Sequence, residues 1–343
     1  MAAPRRIMVI TGSRAEFGLL RPLGHAIEAH PSLELLLVVT GVHLTRGTVR
    51  EIEAAFAIAG RVPMQRGDQT GRPADVEAVG RGVAGLGEII TEASPDFVVV
   101  LGDRIEAFAG AIAASVGGAR LVHLHGGDRA EGVADEAMRH AISKLAHIHL
   151  PATAQSRRRL IRMGEPEGAV LNVGSLAIDG LSAIEPMRDE QFKRLGIDPA
   201  SPPIVVMQHP IGEADATEQR WMSQTLAATA KRARIVFAPN ADPGSVGIRA
   251  AIAAAGIDPI EHLERADFIG LLKRSAAIIG NSSAALIECA ALKLPAVDIG
   301  PRQRGRQSPK HVVHCEYGCE PVRAAWGEAL AADLSRMRHP YGD

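Results

Sequence analysis

The chain has 343 residues, 46% of them apolar and 22% charged, with aromatics at 3% and a formal net charge of −1 at pH 7. That length accommodates two domains of roughly 100–200 residues each, and a charge so close to neutral supplies no overall field for nucleic acid or an anionic membrane. The opening MAAPRRIMVITG carries no signal-peptide apolar stretch, and no apolar run reaches the ~18 residues of a membrane span, so a cytoplasmic protein without nucleic-acid or membrane partners is expected.

Short β-rich apolar runs alternate with longer segments of helical spacing. Strands are predicted at Arg6–Thr11, Leu33–Thr40, Asp96–Leu101, Arg120–Leu124, His147–Pro151 and Ala169–Val173, with helices such as Ile105–Ala114 and Asp135–Leu145 between them. Continuous apolar strands separated by helices indicate a parallel sheet covered on both faces. After a linker at 181–203 the alternation restarts with strands at Ile204–Met207, Ile235–Ala238, Ala276–Ile279, Ala296–Ile299 and His311–Val313. The expected fold class is therefore α/β. It comprises a Rossmann-like domain over 1–180 and a second over 204–320, facing each other across a central cleft. The segment 321–343, with a helix at Pro321–Met337, is expected to pack back on the first domain.

In open parallel sheets ligands gather at the carboxyl ends of strands, so the residues that close each strand are the candidates. "TGSRAEFG", Thr11 to Gly18, is neither a Rossmann nor a Walker sequence, yet Arg14 at a helix start can meet an anion. The bland alternative is a solvated arginine. "LGDRIEAF" puts Asp103 directly after an apolar strand, where desolvation raises a carboxyl pKa unless Arg104 or another cation offsets it; it can equally serve as a helix N-cap. "HLHGGDRAEGVADEAMRH", His123 to His140, sets His125, Asp128 and Asp135 beside Asp103, offering the several acid/base groups that proton abstraction requires. Read blandly, Asp135 caps a helix or pairs with Arg139 at i,i+4 on its surface.

The second half repeats the pattern. In "GNSSAALIECA", Ser282 and Ser283 at a helix N-terminus can donate to phosphate oxygens, with Glu288 placed for a ribose diol; locally a plain capping sequence fits as well. "IGPRQRGRQ" adds Arg302, Arg304 and Arg306, and in "MQHP" His209 ends the domain's first strand. The run Arg157-Arg158-Arg159 reads as a solvated helix face. Cys289, Cys315 and Cys319 form no disulfide framework, and Cys315 and Cys319 with His311 and His314 match no standard zinc spacing.

Six stretches, "TGSRAEFGLLRPL", "LGDRIEAF", "HLHGGDRAEGVADEAMRHAISKLAH", "NVGSLAIDGL", "QHP" and "GNSSAALIECAALKLPAVDIGPRQRGR", come in the order seen in UDP-N-acetylglucosamine 2-epimerases. From Ile7 to Arg306 the chain resembles the hydrolysing branch of that family, which feeds sialic-acid and related nonulosonate synthesis. The resemblance implies a GT-B type fold with a UDP- or GDP-sugar between the domains, and a homodimer or homotetramer. It implies a reaction needing neither NAD nor a metal: C2 deprotonation expels the nucleoside diphosphate from C1, and water adds to the resulting glycal with reprotonation on the opposite face. A free N-acetylmannosamine-type sugar is released. Carried over by motif, Asp103 and Asp135 match acid/base positions, Arg139 a supporting arginine and His209 a catalytic cleft histidine. Arg14, Ser282, Ser283, Glu288 and Arg302 match nucleotide contacts, Asp179 a position near the sugar, and His43 a loop histidine.

This chain departs from the family in two places. Some members carry a glutamate where His125 stands, so that either His125 or Asp128 takes over its task, and the loop after His43 is short. Three rivals stand against the main reading: a non-hydrolysing 2-epimerase, disfavoured by "LGDR" and "HGGD"; a GT-B glycosyltransferase; and a non-catalytic nucleotide-sugar sensor. The density of acids around Asp103 and Asp135 argues against the last two. No glycine fingerprint follows the first strand, which disfavours a dehydrogenase.

Overall fold

The computed structural model describes residues 3–342 except Arg46, Asp68, Thr70, 130–134, Ala241 and Arg336; the side chains of Ala15 and Asp135 also lie outside the described set. Contacts divide the chain between Asp179 and Gly180 into two compact units.

The first unit runs β1 (Arg5–Thr11), α1 (Arg14–Ala29), β2 (Leu33–Thr40), α2 (Val42–Thr45), α3 (Val49–Ala55), β3 (Ile58–Val62), α4 (Arg72–Ala93), β4 (Phe97–Leu101), α5 (Ile105–Val116), β5 (Leu121–Leu124), α6 (Asp135–Leu145), β6 (Ile148–Leu150) and α7 (Ala154–Arg162). Its strands form one six-stranded parallel sheet in the order β3-β2-β1-β4-β5-β6. The strands are apolar without alternation because both faces are covered. Met8, Ile10, Val98 and Val100 enter one core cluster, while Val9, Val99 and Leu101 enter the other on the opposite face.

The second unit runs α8 (Asp189–Arg194), β7 (Ile204–Met207), α9 (Asp215–Thr229), β8 (Arg234–Val236), α10 (Ser245–Ala254), α11 (Arg265–Leu272), β9 (Ala277–Gly280), α12 (Glu288–Ala291), β10 (Ala296–Ile299), β11 (Val312–Cys315) and α13 (Cys319–Ala331). Its five strands are parallel in the order β11-β10-β9-β7-β8. Counted from its own first strand this is the 2-1-3-4-5 arrangement of doubly wound sheets, and the first sheet is 3-2-1-4-5-6.

Three sequence expectations change. Ala169–Val173 is not a strand: Glu167–Ala169 is a 3-10 turn, and only an isolated bridge joins Val170 to His149. β3 was missed, because its sequence IAGRV holds few strand-forming residues and has an alternating, edge-strand burial. The last helix spans Cys319–Ala331 rather than Pro321–Met337, with Val322, Ala325 and Ala329 buried in the core of the second sheet.

Candidate functional site

In the first sheet the strand order switches between β1 and β4, the place where an open parallel sheet leaves a crevice at its carboxyl edge. Asp103 lies just beyond β4. Arg139, on α6 and only 3% exposed, forms an ion pair with it. The same guanidinium donates through Nη1 to Asp128 O at 3.2 Å. The cation that offsets Asp103 is thus Arg139. Arg104 turns to the buried Glu106, Nε to Oε2 at 3.3 Å. Asp103 is not the cap of α5 either, since Arg104 holds that position without a side-chain cap bond. Asp135 opens α6, its side chain lying outside the described residues, and Arg139 is buried.

The end of β5 explains the glycines and separates the histidines. His123 is fully buried; its Nε2 donates to Gly102 O at 2.7 Å, next to Asp103, and its Nδ1 lies 3.0 Å from Ser143 Oγ on α6. Ser143 Oγ is also 3.1 Å from Arg139 O. Burial pulls the His123 pKa down to about 3, so the ring stays neutral with its proton fixed on Nε2. His123 therefore ties the Asp103 loop to the helix that carries Arg139. Its neighbour His125 adopts φ +59°, a left-handed conformation costly for a residue with a side chain, and its Nε2 meets Ser175 Oγ at 3.3 Å. A Cβ on Gly126 would sit 2.8 Å from His123 Nδ1, and one on Gly127 (φ +78°) 2.5 Å from Ser156 O, so neither position admits a side chain. Asp128 is buried and accepts from Ser156 Oγ at 2.6 Å in the first turn of α7. It does not face solvent.

Arg14 opens α1 behind a capping arrangement. Ser13 Oγ accepts from Glu16 N at 3.4 Å, and Glu16 Oε2 accepts from Gly12 N at 3.0 Å. Burial, and then the neighbouring Glu106, push the Glu16 carboxyl up to about 7. His43 is 1% exposed, its ring held between Thr11 Oγ1 at 3.2 Å and Thr48 Oγ1 at 2.7 Å. Burial lowers its pKa to about 4. His43 sits in the four-residue α2, directly after β2. Asp179 is exposed and ends the 3-10 turn Leu176–Ile178.

In the second sheet the order switches between β7 and β9, and the candidates follow those strands. Asn281 organises them. Its Oδ1 accepts from His209 N at 2.7 Å and its Nδ2 donates to His209 O at 2.8 Å. Its own carbonyl accepts from Arg302 Nη1 at 3.2 Å and Gln303 Nε2 at 2.8 Å. His209 Nδ1 accepts from Asn240 N at 3.2 Å, which leaves Nε2 as the protonated nitrogen of the neutral ring. Desolvation, and then Arg302, lower its pKa to about 3. Ser282 and Ser283 do not open a long α-helix: Ser282 caps the 3-10 turn Ser283–Ala285, and Glu288 starts the four-residue α12. The macrodipole expected there is correspondingly small. Glu288 is buried, lies 3.4 Å from Arg265 Nη1, and has its pKa raised by desolvation.

Sequence reasoning passed over His123, Ser143, Ser156, Asn281 and Glu106. The "HLH" and "GNSS" stretches held two of them in plain view, but nothing local distinguishes a residue that faces a crevice from one beneath it. Among the described residues no group of three or more His, Cys, Asp or Glu side chains gathers as a metal would need, and no helix is long and apolar enough to cross a membrane.

Residues 25–343 match the family model described as UDP-N-acetylglucosamine 2-epimerase. The chain is 35% identical to the UDP-N,N'-diacetylbacillosamine 2-epimerase (hydrolyzing) of Legionella pneumophila, over 99% of this chain and 92% of that one. It is 32% identical to the UDP-N-acetylglucosamine 2-epimerase of Neisseria meningitidis, over 95% and 88% respectively. In fold it is similar to the UDP-GlcNAc 2-epimerase of Methanocaldococcus jannaschii crystallised with UDP-GlcNAc and UDP, with a TM-score of 0.81 at 18% identity, covering 98% of this chain and 96% of that one.

Proposed function

From the premise that the chain belongs to the UDP-N-acetylglucosamine 2-epimerase family, we propose that it is a hydrolysing nucleotide-sugar 2-epimerase. Its substrate is a UDP-linked 2-acetamido sugar of the N-acetylglucosamine or diacetamido type. The observation that carries this reading is Asp103 held against buried Arg139 at the strand switch, with His125 on the adjoining strand end. The name of the Legionella relative supports the hydrolysing branch.

Loss of the C2 proton is difficult unless the C1 substituent leaves with its electrons, so elimination needs a base at C2 and a stabilised diphosphate. Ser282, Ser283 and Arg302 serve the diphosphate, and Glu288 the ribose. Asp103 and Asp135 supply the acid/base pair, with the ion-paired Arg139 orienting Asp103. Water then adds at C1 of the glycal while a proton returns to the opposite face of C2. His125 fits that second role better than Asp128, whose carboxylate is buried and engaged by Ser156. His209, neutral with its proton on Nε2, donates a hydrogen bond on the nucleotide side. The enzyme works as a homo-oligomer in the cytoplasm and uses no cofactor.

The test is incubation with a panel of UDP- and GDP-linked 2-acetamido sugars in D2O, followed by NMR. A free 2-epimerised sugar with deuterium at C2, formed in step with nucleoside diphosphate, is expected for a UDP-sugar. Accumulation of the 2-epimeric nucleotide sugar without free sugar would instead assign the non-hydrolysing branch.

A further inference from the structure

A second constellation lies in the second unit, on β10, β11 and the loop before β11. Asp298 and His314 are register partners on adjacent strands, so their side chains share one face of the sheet. Val297 and Ile299, facing the other way, belong to the core shared with α13. His314 Nδ1 lies 2.9 Å from Asp298 Oδ2, and His314 Nε2 lies 2.9 Å from Ser308 Oγ. The Asp298 side chain is 1% exposed and the His314 ring 51%. A buried carboxylate only accepts, so the imidazole proton sits on Nδ1 and the lone pair of Nε2 faces the Ser308 hydroxyl. Ser308 Oγ is farther, 3.4 Å, from its alternative acceptor Pro309 O. The three side chains therefore stand in the order nucleophile, base, orienting acid.

All three line one cavity of about 420 Å³, together with Arg304, Arg306 and Gly305. Arg306 Nε is buried there with no hydrogen-bond partner among the described residues. An unpaired guanidinium N–H is costly unless something anionic meets it, and charge developing on an acyl oxygen is such a group.

We propose that Ser308, His314 and Asp298 form a hydrolytic centre for a small carboxylic ester that carries a negative charge. Ser308 Oγ adds to the acyl carbon as its proton passes to His314 Nε2. The C–O bond of the ester breaks, and the leaving alcohol takes that proton. Water then adds to the acyl-Ser308 ester, giving one proton to His314. The acyl group departs as the carboxylic acid and Ser308 recovers its proton. Arg304 and Arg306 hold the substrate's charge and the oxyanion.

The test uses the full chain, an alkyl fluorophosphonate probe and peptide mass spectrometry. Ser308 is expected to carry the adduct, and His314→Gln is expected to slow labelling by at least about 100-fold, the scale of a lost general base. Ser308→Ala and His314→Gln are both expected to keep wild-type thermal midpoints, which reports an intact fold. Wild-type hydrolysis of 4-nitrophenyl hemisuccinate is expected to disappear in both. An unlabelled Ser308 in folded wild-type protein, or labelling that His314→Gln leaves unchanged, overturns the proposal.

Discussion

Arg139 pairs with Asp103 from a helix thirty-odd residues downstream, and both sit where the charge of either alone would be expensive. Because Arg139 is 3% exposed, removing Asp103 leaves a nearly dry charge, and removing Arg139 leaves a part-buried carboxylate without its cation. Arg139→Met is therefore expected to destabilise the fold by about 3–5 kcal/mol, the cost of breaking a buried pair. Asp103→Asn retains a hydrogen-bonding side chain and is expected to cost less stability. Its turnover should nonetheless fall by roughly two to four orders of magnitude, the range for a lost acid or base. Urea titration and initial rates measured on both variants check this; wild-type turnover in soluble Asp103→Asn would remove the residue from the mechanism.

His125 and Asp128 are separated by their surroundings. His125→Gln is expected to lower turnover by at least about 100-fold and to abolish deuterium uptake at C2, with nucleoside diphosphate affinity kept. Asp128→Asn, which weakens the bond from Ser156 at 2.6 Å, is expected to lower the thermal midpoint while exchange continues. Exchange at the wild-type rate in His125→Gln, measured by NMR in D2O, would return the second acid/base role to another group.

His123 acts through others. His123→Leu loses the donor to Gly102 O and the contact with Ser143, and is expected to reduce kcat by roughly 100-fold with KM little changed. His123→Gln can keep the amide donor and is expected to recover most of that loss. Equal kcat in the two variants would show that the bond to Gly102 is immaterial to Asp103.

Acid should unfold the protein through its buried imidazoles. His43, His123, His209 and His311 are lowered from 6.5 to about 4, 3, 3 and 4, in each case mainly by burial. Between pH 6.5 and those values the unfolded chain binds more protons than the folded one, so their stabilisation is complete above pH 6.5 and is lost as pH falls. Glu16 runs the other way: raised from 4.5 to about 7, it favours the fold fully below pH 4.5 and loses that contribution as pH rises through 7. His140 and His149 are lowered by burial as well, so six imidazoles oppose the raised carboxyls of Glu16, Glu218 and Glu288, and the urea midpoint is expected to drop from pH 7 to pH 4.5. A flat midpoint over that range would mean that the imidazoles open to water without unfolding.

The parallel α/β architecture was legible in the residues alone, because a strand buried on both faces must be apolar at every position, as MVI, VVVL and IVVM are. The positions of the candidate residues were legible too, since strand ends are local features and the motifs mark them. What each candidate touches was not. His123 and His125 are two residues apart in similar context, yet one lies under the Asp103 loop and the other takes a left-handed turn at the strand end. Arg139 has an acid at i−4 on its own helix, and only the tertiary structure places it against Asp103. Asp128 found Ser156 because the turn after β5 lies against the start of α7, and Asp298 found His314 and Ser308 because β10 and β11 lie side by side. Periodicity is set by each segment's own backbone geometry, whereas partnership is set by sheet order and register, which arise only when distant segments bury their apolar faces together.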